Sequence, residues 1–511
     1  MSDRSARIVA GAADLPTEVD VLVVGLGVTG AGVALDAASR GLTVLAVDAW
    51  DVAWGTSRFS SKLVHGGLRY LAKGQLGVAH ESAVERGILM ERTAPHLVRA
   101  LPMVIPLTPG ITAPQAFLAR AGVGAGDLLR LTARTRRETL PKPRRITATE
   151  TRTLAPVVRH DVRGGVLSWD GQLEDDARLV LGIARTAASY GATVRTRTRV
   201  LELTGDGALV RDELTGEEHR VTARAVINAT GVWAGHLVPG ITLKPSRGTH
   251  LVLRKASLPG VRCAVMAPVP GTSNRFVFAL PQPDETFYVG LTDDEVEEIP
   301  DVPTVPEEDV DFLLGVINRA LEVALTRDHV VGAYAGLRPL LDSDGSTADL
   351  SRKHAVLTSD SGVVTIVGGK LTTYRRMAQD AVDAAIARGG LAAGPCRTTD
   401  LPLLGAADRA TLAGLDAPAR LVRRFGTEAA AVLANALAHG LTESEALTPV
   451  SPTIPATLAE FVFGITHEGA ADVADLLDRR TRIGLIAEDR AVAEASAIAA
   501  FEIVGGATPG G

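Results

Sequence analysis

An α/β fold at the N-terminal end and a helical domain at the C-terminal end are what this 511-residue sequence predicts. Three observations carry that reading. Residues 19–24 form a nearly continuous apolar run that leads into Gly25-Leu26-Gly27-Val28-Thr29-Gly30. Residues 42–47 form a second such run, which ends at Asp48. After Pro395 and Pro402, alanine-rich amphipathic stretches such as 417–438 and 491–503 repeat apolar residues at helical spacing.

Taken in order, the first run has the composition of a strand buried on both faces of a parallel sheet. The glycine turn follows, and small residues over 30–40 predict a helix that approaches the sheet closely. The second run completes a βαβ unit of the Rossmann-like kind. Asp48 lies 23 residues after Gly25, where a dinucleotide fingerprint places an acid to accept hydrogen bonds from ribose hydroxyls. An acid there disfavours a 2′-phosphate, so FAD or NAD fits. Gly25, Gly27, Gly30 and Asp48 are the candidate nucleotide residues. Val226-Ile227-Asn228-Ala229-Thr230-Gly231-Val232-Trp233 repeats the strand-into-Thr-Gly pattern and predicts that the chain returns to the same sheet.

Two distant blocks crowd glycines, hydroxyls and cations together: Ser60-Ser61-Lys62-Leu63-Val64-His65-Gly66-Gly67-Leu68-Arg69-Tyr70 and Gly368-Gly369-Lys370-Leu371-Thr372-Thr373-Tyr374-Arg375. Backbone donors beside positive charge suit phosphates and other anions, not core packing.

Composition bounds the rest. The length exceeds what one hydrophobic core organises, so two or three domains are expected. A net charge of -6 argues against nucleic acid as a partner. Two cysteines, Cys263 and Cys396, make no disulfide framework and have no partners at metal-ligand spacing, which predicts a reducing compartment and no metal site. The first twenty residues have no apolar core of a signal peptide, and no apolar run reaches spanning length, so a cytoplasmic location is expected. Residues 113–129 are apolar and glycine-rich, and 130–145 are rich in arginine. An apolar segment abutting cations suits peripheral contact with an anionic membrane surface, here the inner face of the cytoplasmic membrane.

The glycine turn, the SSKLVHGGLRYL block, Asp175-Asp176-Ala177-Arg178-Leu179-Val180, the NATGVW strand, Gly336-Leu337-Arg338-Pro339-Leu340 and GGKLTTYR occur in the order found in FAD-dependent glycerol-3-phosphate dehydrogenases. The chain resembles that family from about residue 18 to 400, and onward to its end. Leu26 replaces a glycine frequent inside the turn, Arg58 and Phe59 stand where many members have small residues, and Gly290-Leu291-Thr292-Asp293 differs by one residue from the usual pattern. The resemblance implies a flavin domain of the amine-oxidase type (18–98, 170–240, 330–395), a substrate domain with an antiparallel sheet (99–169, 241–329) and a C-terminal helical domain (401–511).

It also implies roles. His65 is the expected general base, since imidazole titrates near working pH and Gly66 and Gly67 permit close approach to the flavin ring. Arg69, Arg338 and Lys370 are the cations expected to face the substrate, and Tyr70 either donates to a substrate oxygen or packs. Thr56, Ser57, Ser60, Ser61, Lys62, Gly66, Gly67, Val200, Ala229, Thr230, Gly231, Gly369, Leu371 and Thr372 are expected along the FAD, with Thr373 beside the ring. His250 is a secondary candidate. The acids Asp293, Asp294, Glu295, Glu297 and Glu298 read as a solvated loop without chemistry, and residues 478–482 read as structural or interfacial. The expected reaction is oxidation of sn-glycerol 3-phosphate to dihydroxyacetone phosphate with electrons passed to a quinone, in a chain for which a homodimer is allowed. Oxygen as acceptor, an amine or amino-acid substrate, and a silent flavin-binding sensor are the alternatives.

Overall fold

The computed structural model describes residues 6–67, 75–109, 111, 124, 126–272, 275–341 and 354–505. Five parallel strands lie in the order Val9–Ala10, Thr193–Thr196, Val44–Val47, Glu18–Val24 and Glu218–Asn228. Val364–Val367 adds a sixth beside Ile227 and Asn228. The strand expected around 226 therefore does return to the first sheet, with Val226 opposite Leu22 and Asn228 opposite Val24.

Side chains of the first strand alternate between two cores, as the pleat requires. Val21 and Val23 face the helices Val28–Ser39, Asp176–Ser189 and Tyr374–Gly389. Leu22 and Val24 pack with Val200, Val210 and Val221 of the antiparallel strands Thr198–Thr204, Gly207–Asp212 and Glu218–Asn228. The Asp175-Asp176 pair divides its work. Asp175 caps the helix Asp176–Ser189 by accepting from the Ala177 and Arg178 N–H groups at 2.9 and 3.4 Å, an arrangement that contributes about 1 kcal/mol. Asp176 is turned toward Lys62.

A second sheet is ten-stranded and largely antiparallel. Its long strands are Val98–Pro106, Gly165–Leu173, Ser246–Arg254 and Val330–Arg338. This corrects one expected boundary. Residues 330–338 pair with Ser246–Arg254, with Ser246 opposite Arg338, and so belong to the antiparallel sheet and not to the nucleotide-binding part. An apolar strand reads alike for either sheet, and only the register distinguishes them. Gly165–Leu173 likewise runs through the boundary expected at 169/170.

The C-terminal region carries the helices Ala419–Phe425, Ala429–Ala438, Leu458–Thr466 and Ala487–Val504, with Phe425 and Phe463 edge to face at 5.4 Å. Buried ion pairs fasten it to the nucleotide-binding part. Arg479 and Arg480 both reach Asp51, Arg178 reaches Glu468, and Arg185 holds Glu428 at 2.7 Å. The 478–482 segment is interfacial for this reason: two buried guanidinium groups close on one carboxylate just beyond Asp48.

Candidate active site

Val24, Val47, Asn228 and Val367 all end parallel strands at the same edge. Ligands of open α/β sheets bind at such an edge. A cavity of about 1060 Å³ opens there and runs between the two sheets. Its walls include Gly25, Gly27, Asp48, Thr56, Ser57, Ser60, Ser61, His65, Val200, Ala229, Thr230, Gly231, Arg338, Gly369, Lys370, Leu371 and Thr372.

At the nucleotide end the backbone makes the cradle. Gly25 has φ +97°, and a Cβ there would sit 2.8 Å from the Ala229 carbonyl oxygen. Gly30 does not line the cavity. A Cβ on it would strike the Gly25 carbonyl, so its smallness serves the packing of helix against turn. Asp48 accepts from the Leu26 N–H at 2.7 Å and from the Trp50 N–H at 2.9 Å. Burial pushes its carboxyl up to about 6, against the lowering effect of those two donors.

The sign of the consequence follows. A carboxyl raised in the folded state holds its proton between about pH 4 and 6, where the unfolded chain has lost it, so this group's stabilisation falls as pH rises through that window. Ribose hydroxyls donate to the ionised form, so binding of a dinucleotide should release a proton from Asp48. Affinity for the dinucleotide is expected to rise between pH 5 and 7, and to lose this dependence in Asp48→Asn, as titration calorimetry in two buffers of different ionisation enthalpy would read.

Trp50 and Trp54, stacked with ring centroids 5.0 Å apart, form another part of the wall, with the Arg199 guanidinium 4.9 Å over Trp50. Sequence reasoning did not single them out, since aromatics after such an acid resemble ordinary packing. Arg58 and Phe59 pack together beneath. Arg58 lies 4.4 Å over the Phe59 ring and donates to the Trp54 carbonyl at 2.8 Å. Burial, with Arg479 and Arg482 nearby, pushes Arg58 down to about 9.

Lys62 departs from expectation. Its side chain is buried away from the large cavity, with Nζ 2.9 Å from both Asp176 and the Arg58 carbonyl. Burial and Arg482 push it down to about 8. It is a strut between the first motif block and the Asp175-Asp176 motif, since a lone ammonium is stable in the interior only beside a carboxylate. Gly66 and Gly67 also lie off the cavity wall. The Gly66 N–H donates to Asp170 at 3.1 Å, and a Cβ there would collide with Arg86, which itself holds Asp170 at 2.7 Å. Close approach to this buried ion pair demands glycine at position 66. Arg69 and Tyr70 lie outside the described residues.

His65 follows the short strand Leu63–Val64 and faces the cavity. Ser61 Oγ is 2.8 Å from His250 Nε2. His250 is buried and stacked at 4.9 Å on Tyr334, and burial, then the Lys62 and Arg338 charges, pushes it down to about 3. It is therefore a neutral wall of the cavity at any working pH.

Arg338 ends its strand with its guanidinium in the cavity wall. Nη1 donates to Asp293 and to Ser246 Oγ, each at 3.0 Å, and Nη2 donates to the Thr292 carbonyl at 3.0 Å. Gly248 makes room, because a Cβ there would overlap Arg338. Asp293 was expected in a solvated loop. Its side chain is only 5% exposed, and it orients Arg338, whereas Asp294 and Glu295 are exposed as expected.

Lys370 follows Gly368 and Gly369, both at positive φ (+77° and +69°), and enters the cavity wall with its Nζ donating to Ser82 Oγ. Thr373 does not border the cavity. It is buried, and its hydroxyl donates to the Lys370 carbonyl at 3.2 Å. Among the described residues no cluster of three or more His, Cys, Asp or Glu could hold a metal ion.

Comparison with known proteins adds to this geometry. Residues 20–375 match the model of FAD dependent oxidoreductases, and 396–502 match that of the C-terminal domain of alpha-glycerophosphate oxidase. A glycerol-3-phosphate dehydrogenase 1 of Mycobacterium bovis is 52% identical over 482 residues, 92% of each chain. The aerobic glycerol-3-phosphate dehydrogenase of Bacillus subtilis is 36% identical over 403 residues, 76% of this chain and 71% of that one. A glycerol-3-phosphate dehydrogenase from Bacillus halodurans, solved as a complex with FAD, is 28% identical and superposes with a TM-score of 0.72 over 95% of this chain and 90% of its own.

Proposed function

This chain belongs to the FAD dependent oxidoreductase family, with the C-terminal domain of alpha-glycerophosphate oxidase, and from that premise we infer an FAD-dependent dehydrogenase that oxidises sn-glycerol 3-phosphate and passes the electrons to a quinone. The observation that carries the reading is one continuous cavity that joins a dinucleotide cradle at Asp48 to a wall bearing His65, Arg338 and Lys370. A phosphate dianion can engage both the planar fork of Arg338 and the point charge of Lys370, which line the same cavity.

FAD bound in this cavity would supply the acceptor for the hydride on C2 of the substrate. The remaining work falls to the chain. Gly25, Gly27, Thr56, Ser57, Ala229, Thr230 and Gly231 would hold the cofactor along the strand ends, and Asp48 would accept from the ribose. Ser60, Ser61, Val200, Gly369, Leu371 and Thr372 line the rest of its berth. Lys370 as a point charge and Arg338 as a planar fork hold the phosphate dianion. Asp293 keeps the Arg338 fork in one orientation, and His65 takes the proton from the C2 hydroxyl as the carbonyl forms.

Two features support an apolar acceptor drawn from a membrane. The cavity wall includes the apolar side chains of Met103, Ile105, Met266, Phe276 and Phe278. Outside, Leu76, Leu128 and Leu131 are 63%, 62% and 52% exposed beside the exposed Arg134, Arg136 and Arg137. The helix Leu76–Ile88 packs on the 126–132 helical segment through Ala79, Ala83 and Leu129, with His80 and Thr132 3.2 Å apart, so these leucines and arginines share one region. Among the described residues no helix is long and apolar enough to cross a membrane. Apolar side chains rimmed by arginine suit an anionic lipid surface. Serine at the three leucines should abolish co-flotation with phosphatidylglycerol vesicles and leave flavin reduction by glycerol 3-phosphate intact. Unchanged flotation would remove this surface from the account.

The acceptor is tested by reducing the enzyme with substrate and mixing it with a short-chain quinone or with oxygen. Faster reoxidation by the quinone is expected. Rapid reoxidation by oxygen with stoichiometric hydrogen peroxide would make the protein an oxidase.

A further inference from the structure

We infer that Ser82 is a positioning residue for Lys370, and that one face of the helix Leu76–Ile88 sets the two anion-directed blocks against each other. This rests on the reading of Lys370 as a substrate cation. Ser82, Glu85 and Arg86 stand at i, i+3 and i+4, hence on one helix face. All three are buried, which is unusual for such side chains unless each is paired.

Each one meets a different part of the site. Ser82 Oγ accepts from Lys370 Nζ. Glu85 grips Arg375 of the same block through Nε at 2.8 Å and Nη2 at 2.6 Å. Arg86 holds Asp170 at 2.7 Å, and Asp170 in turn accepts the N–H of Gly66, the neighbour of His65. A single rigid element thus touches both blocks, which lie some 300 residues apart in the chain.

The hydroxyl of Ser82 is suited to its partner. Its proton is committed to the Val78 carbonyl one turn back, at 2.5 Å, a bond that serine makes readily inside helices. The lone pairs of Oγ are then left in a fixed direction, toward the ammonium. An ammonium sits on a flexible four-carbon stem, and a fixed acceptor narrows the positions it takes. Asp293 does the equivalent for Arg338 with a carboxylate. A carboxylate in place of Ser82 would weaken the attraction of the lysine for a phosphate.

The test is a double-mutant cycle with Ser82→Ala, Lys370→Met and the double variant, with Ser82→Thr as the conservative control. Loss of one hydrogen bond to a charged group should raise KM for glycerol 3-phosphate about tenfold in Ser82→Ala. The inhibition constant of inorganic phosphate should rise in parallel, with kcat and FAD content near wild type, and threonine should restore both constants. In the Lys370→Met background the alanine should add nothing beyond about twofold, since the coupled partner is gone. Equal effects of Ser82→Ala in both backgrounds would overturn the inference while leaving the role of Lys370 standing. Unchanged KM and phosphate inhibition in Lys370→Met would overturn both.

Discussion

Replacing His65 by asparagine is expected to lower kcat by about 10²- to 10⁴-fold, the range for loss of a general base, with FAD content unchanged and KM little affected. The split matters because His65 shares its cavity with Arg338 and Lys370, which we assign to the phosphate and not to the reacting carbon. Loss of a charged contact to phosphate should cost on the order of 2 kcal/mol and fall chiefly on KM. His250 supplies the contrast. It is buried, hydrogen-bonded to Ser61 and held neutral down to about pH 3, so the acid limb of the pH–kcat profile should survive in His250→Asn and vanish in His65→Asn. If His65→Asn keeps the wild-type kcat and pH profile, the proton acceptor lies elsewhere.

Asp51→Ala is expected to be the most destabilising single change outside the cavity, by about 3–5 kcal/mol, because it removes one partner of a buried ionic cluster and strands the other charges. Arg479 and Arg480 both close on Asp51, and Arg479 continues to Asp475. The two guanidinium groups hold the Asp51 carboxyl down at about 2 in spite of its burial. A carboxyl lowered in this way contributes its full stabilisation above pH about 4, and loses it as pH falls toward 2. Urea denaturation at pH 7 should therefore show the loss, and the gap between variant and wild type should narrow below pH 4. A variant as stable as wild type at pH 7 would mean that the cluster does not fasten the C-terminal domain.

What the sequence made legible was local. The strand, glycine turn, helix, strand and acid of residues 18–48 all lie within one short stretch, so periodicity and spacing were sufficient, and the return of 218–228 to the same sheet was visible because its pattern repeats the first. Charge was read less well. Lys62 and Lys370 stand in similar company of glycines and hydroxyls, yet Lys62 is buried against Asp176, more than a hundred residues away, and Lys370 lines the cavity. Among five clustered acids, Asp293 alone folds under Arg338, and nothing in an acidic run distinguishes that member from its solvated neighbours. Ser82, Glu85 and Arg86 carry no signal in the sequence, because their partners Lys370, Arg375 and Asp170 are distant in the chain. The sheet to which strand 330–338 belongs is hidden for the same reason: its partner is defined by register, which a single strand does not contain.

The central claim is tested most directly by anaerobic addition of sn-glycerol 3-phosphate to the purified FAD-loaded protein, with the flavin absorbance followed in time. The account predicts rapid bleaching with this substrate, none with unphosphorylated glycerol, and a much slower rate in His65→Asn. A flavin band that glycerol 3-phosphate leaves unchanged would contradict it.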